Sequence, residues 1–446
     1  MQTPTHPGPK IVVRPPGPRA RKVIAEDRTY LSTSLSRTAK LVGLRAHGAY
    51  VEDVDGNTFL DFGSGISVTV MGHTHPRIVE AIQRQAAELI HVNSCDYLSL
   101  PQVEYARRIT GLTPGSFPKR VFFSNSGSEA VEAAIKAAVY HTRRQGLIAF
   151  TGAFHGRTMG ALGLTTNAPV SRRHYAGSMM GNVAFAPFAY PYRNPFKEDA
   201  ARGALRFLEE HVLDRVLPAE DCAAIILEPI QGAGGYIVPP VEFVQGIERI
   251  CRQRDILLIA DEVQTGFAKT GHMFACEAFG VEPDIVCLSK SIAAGLPMGA
   301  TVARAELLEW DPNTHENTLG GNPVVLAAAL AALDVFQQEG LTERARRIGS
   351  RLMSGLSALQ GRFQTIGDVR GLGAMIGVEF VLDRESREPA RELRDRFVQA
   401  CFESGLLVLG AGPSAVRLSP PLILSDEEVD VGLALMEQAL VRVAGE

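Results

Sequence analysis

Ile256-Leu-Leu-Ile-Ala-Asp261-Glu262-Val263-Gln264-Thr265-Gly266, followed after a short amphipathic piece by Asp284-Ile-Val-Cys-Leu-Ser289-Lys290, is the stretch that organises the chain. It holds two apolar runs of strand length, and each delivers a charged residue at its C-terminal end, Asp261 in the first and Lys290 in the second. In an open parallel sheet that end is where ligands bind. The two residues are 290 − 261 = 29 positions apart, room for one strand–crossover–strand unit, so that a carboxylate and a lysine would face one crevice. Such a pair suits pyridoxal phosphate chemistry, in which a lysine amine holds the cofactor as a Schiff base and a carboxylate keeps the ring nitrogen protonated. A helix-capping Asp261 and a solvated Lys290 are the commoner fates of these residue types, and spacing alone does not choose.

Outward from this stretch the pattern alternates between strand and helix. Val121–Ser124, Leu147–Phe150, Val183–Ala186, Ala223–Leu227, Ile256–Ala260, Asp284–Leu288 and Ala300–Ala303 are strand-like, with helix-length segments between several of them. That alternation predicts an α/β doubly wound domain with a mostly parallel sheet. The expected large domain spans 65–335. From about Leu341 the texture changes to a helix, a Gly-rich strand over Gly371–Phe380, another helix, short strands at Leu406–Leu409 and Ala415–Ser419, and a last helix over Glu427–Val443. This reads as a smaller α+β domain over 336–446. Residues 1–64, an arm followed by an alternating hairpin around Asp55-Gly56, are expected to complete it.

The chain has 446 residues, 46% of them hydrophobic, and a net charge of −4, enough for two domains with a large buried core. A basic excess of the kind that nucleic acid demands is missing, and no run of 18 apolar residues exists to span a bilayer, so neither partner is expected. Six scattered cysteines without a Cys-x-x-Cys pair predict neither zinc nor a disulfide scaffold and fit a reducing cytoplasm. Residues 1–22, with six prolines and no apolar core of signal-peptide length, read as a partly extended arm. His73 and His75 alternate as metal ligands can, yet no third ligand stands at metal spacing, so they are taken as structural and no metal is expected. Gly371-Leu-Gly373-Ala-Met-Ile-Gly377 lacks the glycine spacing of a dinucleotide loop.

Ser124-Asn125-Ser126-Gly127-Ser128-Glu129 follows a strand and opens an alanine-rich helix. Free N–H groups and the positive end of the helix dipole there make an anion site for a cofactor phosphate, against an equal prior for a plain N-cap. Phe154-His155-Gly156 follows the Leu147–Phe150 strand, where Phe154 could stack on a pyridine ring or simply fill core.

Asp261-Glu262-Val263-Gln264-Thr265-Gly266 followed by Ser289-Lys290 resembles the signature of the class III (omega) aminotransferases. Similar blocks run from about Tyr50 to Pro421. They include Gly72-His73-Thr74-His75-Pro76, Ser126-Gly127-Ser128-Glu129-Ala130, Phe154-His155-Gly156-Arg157-Thr158, Glu228-Pro229-Ile230-Gln231-Gly232 and Gly320-Gly321-Asn322-Pro323. Ala268-Lys269-Thr270-Gly271 departs from the family's usual Gly-Arg-Thr-Gly, a change to a loop contact. The resemblance implies the aspartate-aminotransferase type of fold (PLP-dependent transferase fold type I), with a large doubly wound domain and a smaller one. It also implies a homodimer, or a dimer of dimers, with active sites at the subunit interface.

Residue by residue, the resemblance implies Lys290 and Asp261 as catalytic, and Ser126, Gly127, Ser128, Phe154, His155, Val263 and Gln264 around the cofactor. Thr318 reaches the phosphate from the partner subunit, Val263 covers the ring face opposite Phe154, and Gln264 contacts the ring hydroxyl. Arg417 matches the arginine that forks onto a substrate carboxylate, and Glu228 the glutamate that neutralises it. Arg157 matches an arginine for a distal carboxylate, and Ile66 stands where ornithine-specific members have tyrosine. The set favours an aminotransferase moving an amino group from a 4-aminobutyrate-like omega-amino acid to 2-oxoglutarate. Ornithine and acetylornithine aminotransferases, an amino-acid racemase of the same family and, far behind, a non-enzymatic phosphate-binding protein are the alternatives.

Overall fold

The computed structural model describes residues 8–444. The chain forms two compact units, one running to Pro76 and resuming at Glu343, the other Arg77–Thr342. The segment 65–76 thus belongs to the first unit and residues 336–342 to the second.

In the first unit the amide of Lys10 pairs with the Thr58 carbonyl, and Asn57 Oδ1 accepts from the amides of Val12 and Val13 at 2.8 and 3.0 Å. A helix over Pro18–Tyr30 then begins inside the stretch expected to be extended to residue 22. Proline in the first turn gives up only an N–H that the helix leaves unpaired anyway, and Asp55 caps the amides of Arg19 and Ala20 at 2.8 Å each. The first seven residues of the arm lie outside the described residues. Strands β1 (Gly43–His47), β2 (Tyr50–Asp53) and β3 (Thr58–Asp61) form an antiparallel meander, with the hairpin turning at Asp55-Gly56 and Asp53 Oδ1 accepting the amides of Asp55 and Asn57.

The second unit carries β4 (Lys119–Ser124), β5 (Gly146–Phe150), β6 (Val183–Ala186), β7 (Cys222–Leu227), β8 (Leu257–Asp261), β9 (Ile285–Leu288) and β10 (Gly299–Arg304). They form one sheet in the order β4-β10-β9-β8-β7-β5-β6. All pairings from β9 to β6 are parallel, and β10 runs antiparallel to both its neighbours. Every residue of β5, β7 and β9 is buried, the mark of parallel strands covered on both faces. The helix Gly127–Thr142 lays Ala130, Val131, Ala134, Ile135 and Ala138 against Ile226, Ile259, Ile285 and Cys287 of the sheet. Small residues let its backbone come close, and each fully buried isoleucine contributes about 1.5–3 kcal/mol.

The chain returns to the first unit for β11 (Ile366–Leu372), β12 (Met375–Phe380), β13 (Leu406–Leu407), β14 (Leu409–Ala411) and β15 (Ala415–Leu418). The single Gly-rich strand expected over Gly371–Phe380 is in fact the end of β11, a tight turn with Gly373 at φ 57°, and the whole of β12. β13 pairs parallel to β3, so the N-terminal meander and the C-terminal segment share a four-stranded sheet. The order β11-β12-β15-β14 makes a second. His73 Nε2 lies 2.9 Å from Asp61 Oδ2 in this unit.

Candidate active site

The register between β8 and β9 pairs Asp261 with Cys287, so Ser289 and Lys290 follow directly from the end of the neighbouring strand. Asp261 and Lys290 therefore leave the same edge of the sheet, as the spacing predicts. Lys290 has φ 49°, a left-handed backbone that a lysine adopts at a cost of about 1 kcal/mol or more. Ser289 secures the strand end by donating to the Met298 carbonyl at 2.7 Å.

Asp261 is buried, and its Oδ2 stands 2.8 Å from Nδ1 of the fully buried His155 ring. Its Oδ1 accepts from the amide of Val263 at 3.1 Å. A carboxylate so held retains lone pairs for a further donor. One strand further along, Glu228 follows β7. Its Oε1 accepts from the amide of Phe154 at 2.8 Å and its Oε2 from the amide of Gly232 at 2.9 Å. Burial pushes the Glu228 carboxyl up to about 7 and Asp261 adds to the rise, while His155 and the two amides pull against it. Gln264 donates from Nε2 to the Tyr236 hydroxyl at 2.8 Å, and Glu262, wholly buried, accepts from the Cys276 amide at 2.7 Å. Burial raises the Glu262 carboxyl too. Lys269, at the departure from the family pattern, is fully buried.

Ser126 caps the helix Gly127–Thr142 by accepting from the Glu129 amide at 3.2 Å, so the plain N-cap reading holds for its side chain. The next amides stay at a positive helix end. A Cβ on Gly127 would stand 2.9 Å from Val263 Cγ1 and 3.4 Å from Ser289 Cβ, so only glycine lets this turn meet the ends of β8 and β9. Ser128 Oγ accepts from the Arg157 amide at 3.3 Å, and the Arg157 guanidinium, itself exposed, lies 5.1 Å from the centroid of the Phe154 ring. The turn 126–128, the Phe154–Arg157 loop, Asp261, Val263, Gln264 and Glu228 thus come together.

Thr318 is exposed, on a loop tied back to the second unit. Asn317 Nδ2 donates to the Phe123 carbonyl at 2.8 Å and Ser94 Oγ to the Gly320 carbonyl at 3.0 Å. Two expected site residues belong to the first unit. Arg417 sits on β15 opposite Gly377 of β12 and Leu409 of β14. Ile66 has φ 68° in the turn Ser64–Ser67. Sequence reasoning missed the His155–Asp261 bond, the double bridge made by Glu228 and the Tyr236–Gln264 contact, for which only the neighbouring motif residues gave a signal.

The class-III aminotransferase family model matches residues 33–440. This chain belongs to that family. The aminotransferase is 39% identical to the 4-aminobutyrate aminotransferase of Mycobacterium leprae over 97% of its own length and 98% of the relative's. It is 37% identical to an alanine/serine racemase of Pyrococcus horikoshii, over 97% of this chain and 92% of the other. Among solved structures, an amine transaminase from an uncultivated Pseudomonas species in a PLP-bound form matches with a TM-score of 0.86 and 32% identity, over 93% of this chain and 98% of that one. The fold is therefore that of the PLP-dependent class III transaminases, and pyridoxal phosphate is the cofactor. The chain's own residues fit that group: a small-residue helix end for its phosphate, a buried carboxylate with lone pairs to spare for its ring nitrogen, and a lysine at the adjacent strand end. The substrates of this aminotransferase are an amino acid and a keto acid.

Proposed function

We propose that the chain transfers the amino group of a 4-aminobutyrate-like omega-amino acid to 2-oxoglutarate, working as a cytoplasmic homodimer or dimer of dimers. The observation that carries this reading is the buried Asp261–His155 pair at the end of β8, beside the strand end that delivers Lys290. The similarity to a 4-aminobutyrate aminotransferase over nearly the whole chain supports the donor.

Bound pyridoxal phosphate supplies a sink for the electrons left when a proton leaves the donor carbon. Lys290 Nζ would take that proton as base and give it back as acid. Asp261 would hold the ring-nitrogen proton, its carboxylate oriented by His155 Nδ1 and the Val263 amide. Ser126, Gly127 and Ser128 would hold the phosphate, together with Thr318 from a neighbouring subunit. Phe154 and Val263 would cover the cofactor ring, and Gln264 would hold its hydroxyl. Arg157 takes the distal carboxylate of the substrate and Arg417 the carboxylate beside the reacting carbon, a task for which a guanidinium fork suits. Ile66 leaves an apolar wall where an ornithine-type site carries a tyrosine.

A racemase is the second reading, favoured by the 37% identity to the alanine/serine racemase. Incubating the holoenzyme with 4-aminobutyrate, 5-aminovalerate, ornithine, acetylornithine or lysine, each with 2-oxoglutarate, tests the first reading. Glutamate should form fastest with 4-aminobutyrate or 5-aminovalerate. Repeated inversion of alanine or serine without any keto acid, and no glutamate from the panel, would replace transamination by racemisation.

A further inference from the structure

The helix Gly127–Thr142 carries Ser128, Glu132, Lys136 and Tyr140 at intervals of four, which puts them on one face. Each grips a loop. Ser128 Oγ accepts from the Arg157 amide at 3.3 Å. Glu132 Oε1 accepts from Thr158 Oγ1 at 2.5 Å and from the amides of Gly160 and Ala161 at 3.0 and 3.1 Å. Lys136 Nζ donates to the Thr314 carbonyl at 3.0 Å, and the Tyr140 hydroxyl to Asp311 Oδ2 at 2.7 Å.

We propose that Glu132 is the positioning residue that sets how well Arg157 recognises a distal substrate carboxylate. The inference rests on the role given to Arg157 above and deepens it. Thr158, the residue after Arg157, makes no side-chain cap to the short helix Met159–Gly163 that it precedes, and Glu132 takes that task from another element. One carboxylate oxygen accepting three donors holds the loop at a single point, and bonds to a carboxylate are the stronger kind. Its approach is close enough that a Cβ on Gly160 would lie 2.2 Å from Glu132 Oε2. On the other side of Arg157, Thr165 Oγ1 accepts from the His155 amide at 2.9 Å and donates to the Gly156 carbonyl at 3.1 Å. The backbone of Arg157 is thus pinned on both flanks while its guanidinium is exposed, so where the guanidinium can reach is decided by those pins. Without the Glu132 pin, the C-terminal flank is free to drift. The phosphate turn 126–128, a full helical turn earlier, keeps its own anchor in Ser126.

The test compares Glu132→Ala, Glu132→Gln and Arg157→Ala with the parent holoenzyme. Steady-state kinetics are measured with 4-aminobutyrate and with butylamine, which has the same chain and no carboxylate. The dissociation constant of butyrate, an unreactive carboxylate, is measured by calorimetry, and cofactor affinity by absorbance titration. Glu132→Ala should raise the KM for 4-aminobutyrate and the butyrate dissociation constant about ten-fold, with butylamine kinetics, kcat and cofactor affinity within about two-fold. Glu132→Gln keeps one acceptor oxygen and should fall between. It also carries the test if the alanine variant does not fold. Butyrate binding weakened by Arg157→Ala and untouched by either Glu132 variant overturns the inference while the Arg157 reading stands. So does an equal rise in KM for both donors. Butyrate binding untouched by Arg157→Ala overturns the reading underneath.

Discussion

Glu228→Gln isolates the one carboxyl in the site whose protonation burial has moved into the neutral range. Its ordinary value of 4.5 rises to about 7 in the folded chain, a difference of about 2.5. Below the unfolded value the group is neutral in both states and contributes nothing. Between the two values the folded chain keeps a proton that the unfolded chain releases, so stability falls as pH rises. Above about 7 the full penalty is present, 2.5 × 1.36 or about 3 kcal/mol. Glutamine carries no such charge. It can serve only one of the two amides that Glu228 accepts, from Phe154 and Gly232, a loss that does not vary with pH. The difference in unfolding free energy between variant and parent should therefore move by about 2.5 kcal/mol in favour of glutamine from pH 5 to pH 8, the first part of the penalty being already present at pH 5. Urea unfolding of cofactor-stripped protein at fixed concentration measures it, with coincident transitions in circular dichroism and the fluorescence of the single tryptophan, Trp310. A gap that is flat with pH, or that moves toward glutamate, refutes the reasoning.

Lys290→Ala should abolish multiple turnovers yet leave cofactor bound noncovalently, seen as normal retention on gel filtration with the lysine-bound absorbance band gone; turnover at the parent rate removes Lys290 from the chemistry. His155→Ala strips the buried Asp261 of a hydrogen bond worth about 1.5–3 kcal/mol, so the first half-reaction should slow roughly 10- to 100-fold in stopped-flow absorbance, and an unchanged rate rejects the pair as functional. Arg417→Ala should weaken glutamate and 2-oxoglutarate far more than 4-aminobutyrate; equal weakening of both half-reactions argues against a carboxylate fork at that position.

The central strands of the large sheet were legible because a strand covered on both faces must be apolar throughout, as in Ala223–Leu227 or Ile285–Leu288. Asp261 and Lys290 were legible for the same reason, as the charges at which such runs stop. The β11–β12 hairpin was not, because its turn at Gly373-Ala374 lacks the Asn-Gly or Asp-Gly signature, and no strand is expected over the first arm before Gly371. The helix start at Pro18 was hidden among prolines whose fixed backbone suits both an extended arm and a first helical turn. His155 meets Asp261 across 106 positions and Phe154 meets Glu228 across 74. Those contacts depend on β7 lying between β5 and β8, an ordering that local patterns do not encode.

The four-residue spacing along the helix Gly127–Thr142 limits what evolution or an engineer can do with its length. One residue inserted or deleted after Glu132 would turn everything beyond it by about 100°, carrying Lys136 and Tyr140 away from Thr314 and Asp311 while Ser128 and Glu132 kept their grip. An indel before Ser128 would instead move all four together, rotating the helix's alanine face off the sheet. With its alanine face against the sheet and its four polar grips at fixed intervals, the helix behaves as a key cut to one phase, and homologues that alter its length should do so only beyond Tyr140.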